Sequence, residues 1–260
     1  MRVLKLTVAY DGTRFVGWQR QADGESIQGL LEEALAKFEG APVTVHGAGR
    51  TDAGVHALGQ VASAIVTFTH PAETIARALN AQLPDDIRVV EIADAAPGFH
   101  ARFSARSKSY RYQIREGTIG DPFTRAFVWQ LPAPLNVDAM TEAAAALVGT
   151  HDFAAFQSAG TEVASTVRTI FRSEFSTTEP SERSERLERP ERSERLLVYE
   201  VTADGFLRHM VRAIVGTLVE IGRGWRSVES IAQLVERGTR AQAGATAPPH
   251  GLFLVCVDYD

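Results

Sequence analysis

Apolar residues recur along this chain with two distinct periods. Leu4, Leu6, Val8 and Tyr10 alternate with Lys5, Thr7 and Ala9, which predicts a half-buried strand ending at the turn Asp11-Gly12-Thr13. Ile27, Leu30, Leu31, Ala34, Leu35 and Phe38 instead share one helical face, with Ser26 placed to cap it and Gly40 and Pro42 to stop it. Strands over 43–46 and 61–68 flank a glycine-rich loop. Pro71 opens a second helix carrying Ile75, Ala78, Leu79 and Leu83, and a strand follows over 87–92. The order is β-α-β-β-α-β.

The second half repeats that order. A strand over 109–115, a helix over 137–148, strands over 166–175 and 196–202 and a helix over 206–221 precede a short helix, 228–237, and a final alternating strand, 252–259. Two such units predict an α+β protein of two ferredoxin-like halves, residues 1–105 and 106–260, whose antiparallel sheets join around a central cleft of the kind that binds ligands. One segment breaks the pattern. Residues 181–195 are five triplets each ending in Glu-Arg, Leu187 is the only apolar residue among them, and Pro190 interrupts any helix. Such a segment cannot bury enough surface to order itself, so a mobile insertion at about 177–195 in a β-hairpin is expected.

Composition narrows the class. With 45% hydrophobic and 23% charged residues the 260-residue chain can bury a full core, and no apolar run is long enough to span a bilayer. The N-terminus reads as a strand and not as a signal peptide, so a soluble cytoplasmic protein is expected. The single cysteine, Cys256, excludes an internal disulfide and multi-cysteine metal clusters.

The net charge of −5 argues against a polyanionic partner, but its distribution changes that picture. Between Phe99 and Arg115 lie Arg102, Arg106, Lys108, Arg111 and Arg115 with His100 and no acid, interleaved with Phe103, Tyr110 and Tyr112. Basic residues among aromatics suit a nucleic-acid groove, although a solvated strand face can carry the same pattern.

The candidate chemistry lies in the glycine-rich loop, Gly47 to Val61. Gly47, Gly49, Gly54 and Gly59 permit positive φ and close approach, and they present Asp52 on a tight turn. Arg50 and His56 are near enough in sequence to favour its charged form, which makes Asp52 a candidate nucleophile or base. A carboxylate in such a loop also serves as a plain turn cap, and local composition leaves both roles open. The loop does not continue as a phosphate-binding glycine motif, so no nucleotide cofactor is expected.

Seven ordered motifs then carry a resemblance over nearly the whole chain. They are Tyr10-Asp-Gly-Thr-Arg-Phe-Val-Gly-Trp18-Gln-Arg-Gln21, Gly49-Arg-Thr-Asp-Ala-Gly-Val-His56, Phe99-His-Ala-Arg-Phe-Ser104, His151-Asp-Phe153, Val167-Arg-Thr-Ile170, Phe206-Leu-Arg-His-Met-Val-Arg212 and Gly251-Leu252. Together they resemble the TruA family of tRNA pseudouridine synthases; the Glu-Arg insertion departs from it. The resemblance implies isomerisation of uridine to pseudouridine at positions 38, 39 and 40 in the tRNA anticodon arm, by a homodimer, without metal or organic cofactor.

It also implies residue roles. Asp52 would be the nucleophile and Arg212 the cation paired with it, a bidentate contact that would keep the carboxylate charged and fix its rotamer. Tyr110 would stack on the extruded uracil, Leu252 would form an apolar floor beneath it, and Arg50 would contact RNA and help draw out the base. Periodicity alone does not separate Tyr110 from Tyr112, which should face the same side of their strand; the family match selects Tyr110. Trp18, Gln19 and His151 to Phe153 read as structural. A non-catalytic RNA-binding protein on the same fold is the competing reading.

Overall fold

Burial along the first strand follows the predicted alternation: Leu4, Leu6, Val8 and Tyr10 are buried, and the residues between them are only partly covered. The computed structural model describes residues 1–158, 160, 163–178 and 195–260, so most of the expected Glu-Arg insertion, 179–194, lies outside the described residues. In chain order the elements are β1 (Arg2–Tyr10), α1 (Ile27–Glu39), β2 (Val45–Gly47), β3 (His56–Val66), α2 (Ala72–Asn80), β4 (Ile87–Ala95), β5 (Ser107–Glu116), β6 (Trp129–Leu131), α3 (Val137–Ala145), β7 (Gly149–Asp152), β8 (Val167–Thr178), β9 (Leu196–Ala203), α4 (Met210–Gly222), α5 (Ser230–Arg237) and β10 (Leu252–Asp258). The chain is therefore mixed α+β, with five α-helices and mostly antiparallel strand pairing among the described residues. None of these helices is long and apolar enough to cross a membrane.

The chain divides into two compact units, Met1–Lys108 with Phe253–Asp260, and Ser109–Leu252. In the first, β1 lies between β4 and β3, antiparallel to both, and β3 also takes β2 antiparallel and the last strand parallel. Helix α1 starts where its cap predicts, with the Ser26 hydroxyl accepting from Gly29 N–H at 3.2 Å, and stops at Gly40, whose φ is 71°. Ile27, Leu31, Ala34 and Leu35 are buried beneath it. Burying each large aliphatic side chain is worth roughly 1.5–3 kcal/mol, which is what holds a 13-residue helix in place.

The same helix buries two polar residues, and they have a task. Gln28 donates to Val45 O at 3.0 Å, and Glu32 accepts from Val45 N–H at 3.1 Å. Helix α1 thus clamps both backbone groups of Val45 in β2, the strand that feeds the Asp52 loop.

In the second unit the strand order is β5-β9-β8-β7, with β6 parallel to β5. Strands β8 and β9 pair antiparallel out to Thr178 opposite Leu196. Helix α4 is buried on all sides, as expected of a helix that is apolar all round. Every residue of Met210–Gly222 is buried except Arg212 and Glu220. This helix begins four residues later than its pattern predicts. His209, just before it, holds φ 62°, the only positive φ outside glycine among the described residues, and the Ser158 hydroxyl bonds its Nδ1. A left-handed residue cannot propagate a right-handed helix, so the helix starts only at Met210.

Candidate active site

Asp52 lies between β2 and β3 on a loop in which Ala48, Thr51 and Val55 are buried, Asp52 is partly covered and Ala53 is exposed. Beside it, Thr51 is buried, and its Oγ1 lies 2.8 Å from the Tyr10 hydroxyl. Gln60 donates to Gly49 O at 2.9 Å and reaches the same phenol at 3.5 Å. Burial pushes the Tyr10 phenol up to about 12, partly offset by its bonds to Thr51 and Gln60, so it is a neutral buried hydroxyl at any physiological pH. Trp18 N–H donates to Thr51 O at 3.0 Å, and Ala48 N–H donates to Val61 O at 2.8 Å. The loop is therefore fastened on both sides of Asp52.

Its glycines divide the work. Gly54 takes the expected positive φ, 76°. Gly47 and Gly59 instead supply space, because a Cβ would fall 2.4 Å from the Trp18 ring in the first case and 2.5 Å from Val255 O in the second. His56 is fully buried, stacked on Phe253 at 4.7 Å, and its Nδ1 accepts from Gly12 N–H at 3.0 Å, which ties it to the first turn. Arg50 is exposed.

The second unit holds the other expected residues. Tyr110 and Tyr112 are both buried on one face of β5, as the alternation requires, and the structure separates their roles. Tyr110 meets Phe206 edge to face at 5.0 Å. The Tyr112 hydroxyl donates to Pro248 O at 2.8 Å, and Gly251 packs on its ring, where a Cβ would come within 2.7 Å. Burial pushes the Tyr112 phenol up, against the nearby Arg212 charge.

Arg212 is tied by its Nε to Ala247 O at 2.8 Å, and Ala247 N–H returns a bond to Arg212 O at 3.0 Å. Residues 244–247 run along α4 as a strap, with Gly244 N–H on Thr217 Oγ1 at 2.9 Å and Ala245 N–H on Glu220 Oε1 at 3.0 Å. Gly216 makes this possible, since a Cβ there would lie 1.7 Å from Ala245 O. The strap continues through Pro248, under Tyr112, to the buried Leu252. Within this unit Arg212 and Leu252 are thus joined through the strap that Tyr112 tethers, while Tyr110 lies two residues from Tyr112 on the same face of β5 and packs on Phe206. His250 lies there too, its imidazole held below the usual range by burial and, in smaller part, by the Arg212 charge.

The basic stripe is not uniform. Arg111 pairs with Glu200 at 2.8 Å and Arg115 with Asp121 at 3.4 Å, so two of its cations already face acids, whereas Arg102 and Arg106 are exposed.

The match to the tRNA pseudouridine synthase family model covers residues 6–104 and 143–260, and so takes in both the Asp52 loop and the Arg212 helix. The chain belongs to the tRNA pseudouridine synthase family. It is 46% identical to tRNA pseudouridine synthase A of Solidesulfovibrio magneticus, over all of this chain and 92% of that protein. Identity to tRNA pseudouridine synthase A of Anoxybacillus flavithermus is 45% over the full length of both, and to that of a Geobacillus species 42% over 99% of this chain and 98% of the relative. As a member of the family, the protein is an isomerase of uridine in tRNA.

Sequence reasoning passed over Gln60 and Tyr112 as functional supports. Gln60 carried a readable signal, a polar residue in the middle of an apolar strand; the task of Tyr112 depends on a chain segment 136 residues away and left none.

Proposed function

We propose that the enzyme converts uridine to pseudouridine at positions 38, 39 and 40 of the tRNA anticodon arm, with Asp52 as nucleophile toward a flipped-out uridine. The bond from C1′ to N1 breaks, the uracil turns, a bond from C1′ to C5 forms, and the C5 proton leaves to solvent while N1 gains one. No electrons are exchanged with an outside donor, so one carboxylate with cationic support suffices and no cofactor is required. Arg212 is proposed as the second catalytic residue, with Tyr110 stacking on the uracil, Leu252 beneath it and Arg50 on the RNA. The enzyme is proposed to act as a homodimer in the cytoplasm.

The observation that carries this reading is the contrast around Asp52: a partly exposed residue set directly after the buried Thr51, which belongs to a buried, hydrogen-bonded frame with Tyr10 and Gln60. Preorganisation of that kind serves a reacting group better than a turn cap. In the first unit the succession β1-α1-β2-β3-α2-β4, with β1 between β4 and β3 and β2 beyond β3, supports the ferredoxin-like reading of that half. In the second, the succession β5-α3-β8-β9-α4 supports the same reading once the short strands β6 and β7, which pair with β5 and β8, are set aside as additions.

The test follows tritium release from tRNA labelled at uridine C5. Wild-type protein should release tritium from the anticodon arm, and Asp52→Ala should abolish release while still binding tRNA. Release by Asp52→Ala at the wild-type rate would overturn the role of Asp52. Binding without release by the wild-type protein would leave only an RNA-docking scaffold.

A further inference from the structure

The basic, aromatic stretch from Phe99 to Arg115 is sorted by the structure, and its outward-facing part lies at residues 100–106 of the first unit. Three rings are layered there. His46 stacks on His100 with centroids 4.8 Å apart and 29° between planes, and His100 contacts Phe103 at 4.4 Å and 36°. Phe103 ends the stack and is 77% exposed. The Arg102 guanidinium carbon is 5.5 Å from the centroid of the Phe103 ring.

The backbone beneath this stack is fixed. Ala101 N–H donates to the buried Ser63 hydroxyl at 3.1 Å, the Tyr259 hydroxyl donates to Ala101 O at 2.8 Å, Ser104 N–H donates to His100 O at 2.9 Å, and Arg102 N–H donates to His100 Nδ1 at 3.1 Å. Burial, with help from the His46 and Arg102 charges, holds the His100 imidazole below its usual range, which keeps the middle ring neutral. An apolar ring is thus held rigid in water, where it costs free energy, beside a cation and in a stretch without a single acid. A partner protein would meet a small, charged, single-ring patch; a nucleotide would meet the two things it needs, a π face and a positive charge.

We propose that Phe103 and Arg102 form a stacking platform for one unpaired base of the RNA substrate, with the base stacking on the exposed Phe103 ring and Arg102, which lies over that ring, turning to meet the backbone phosphate. The proposal rests on the tRNA reading above and adds to it a specific contact on the first unit. Stacking is tolerant of sequence because every base has a π face, so the platform would grip RNA without choosing among tRNAs.

Fluorescence anisotropy with unmodified tRNA, in an Asp52→Ala background so that turnover does not intrude, tests this. Phe103→Ala should weaken binding by about 5- to 150-fold, the range set by loss of one stacked base. Phe103→Trp should bind within about twofold of the parent, while Phe103→Leu, apolar but without a π face, should fall with Phe103→Ala. Arg102→Gln should lower the slope of log affinity against log salt by about one.

Unchanged affinity in Phe103→Ala, or Phe103→Leu binding as tightly as Phe103→Trp, would overturn the platform. So would a loss of assembled mass for Phe103→Ala by sedimentation, which would assign the face to a second copy of the chain. Failure of the wild-type protein to release tritium would count against the isomerase reading, and the anisotropy series would still decide the platform.

Discussion

The Tyr10 phenol and the Thr51 hydroxyl meet at 2.8 Å, both buried, with Thr51 one residue before Asp52 in the loop. Tyr10→Phe keeps the ring and its packing but leaves the Thr51 hydroxyl and Gln60 without that partner. The unmet group should cost about 1–3 kcal/mol of stability, seen as a lower urea midpoint at unchanged slope. The turnover number for tritium release should fall while the KM for tRNA holds, because the loop is loosened and the RNA contacts are not. A wild-type turnover number in this variant would show that the loop does not depend on the bond.

Alkaline stability should report the same phenol. Tyr10 ionises near 10 in an unfolded chain and at about 12 when folded, so between these values the unfolded state has lost a proton that the folded state still holds. The contribution is therefore fully present below about pH 10 and is lost as pH rises through 12. Burial pushes Tyr112, Tyr199 and Tyr259 up as well, which steepens the fall. Tyrosinate absorbance should rise with the loss of circular dichroism, and denaturant titrations should show a shallower alkaline decline in Tyr10→Phe.

Gly216→Ala should be among the most damaging single-methyl changes in the protein. The added Cβ would meet Ala245 O at 1.7 Å, and backbone must move to admit it. Overpacking of this kind costs roughly 1–3 kcal/mol or more. Displacing residues 244–247 would also disturb Arg212, whose Nε bonds Ala247 O, so activity should fall further than the melting temperature alone would predict. A variant with lowered melting temperature but full tritium release at 25 °C would separate the strap from the site.

Much of the architecture was written locally. The cap at Ser26, the left-handed Gly40 and the alternation of β1 lie within one or two turns of the residues they govern, and all appear where the pattern put them. The late start of α4 was not readable, because the left-handed His209 is held by Ser158, some fifty residues earlier in the chain. The polar residues under α1 were equally opaque: Gln28 and Glu32 fit a solvated helix in sequence, and only the position of Val45 shows why they are buried.

At the candidate site, residue types and glycine spacing drew attention to Asp52. What they lacked was the frame of Tyr10, Thr51 and Gln60, in which a tyrosine some forty residues earlier in the chain joins two residues of the stretch itself. The charge pattern from Phe99 to Arg115 located a basic stretch, but it could not tell that Glu200 and Asp121 would answer Arg111 and Arg115 and leave the outward cations near Phe103.

The strap along α4 makes Arg212, Tyr112 and Leu252 a single mechanical part. Ala247 grips Arg212, Pro248 is tethered by the Tyr112 hydroxyl, and Leu252 follows four residues later, so a push on any one of them is shared by the others. An incoming nucleotide would then find this cassette already stiff, with no loop left to freeze, and substitutions within it should prove strongly non-additive when combined.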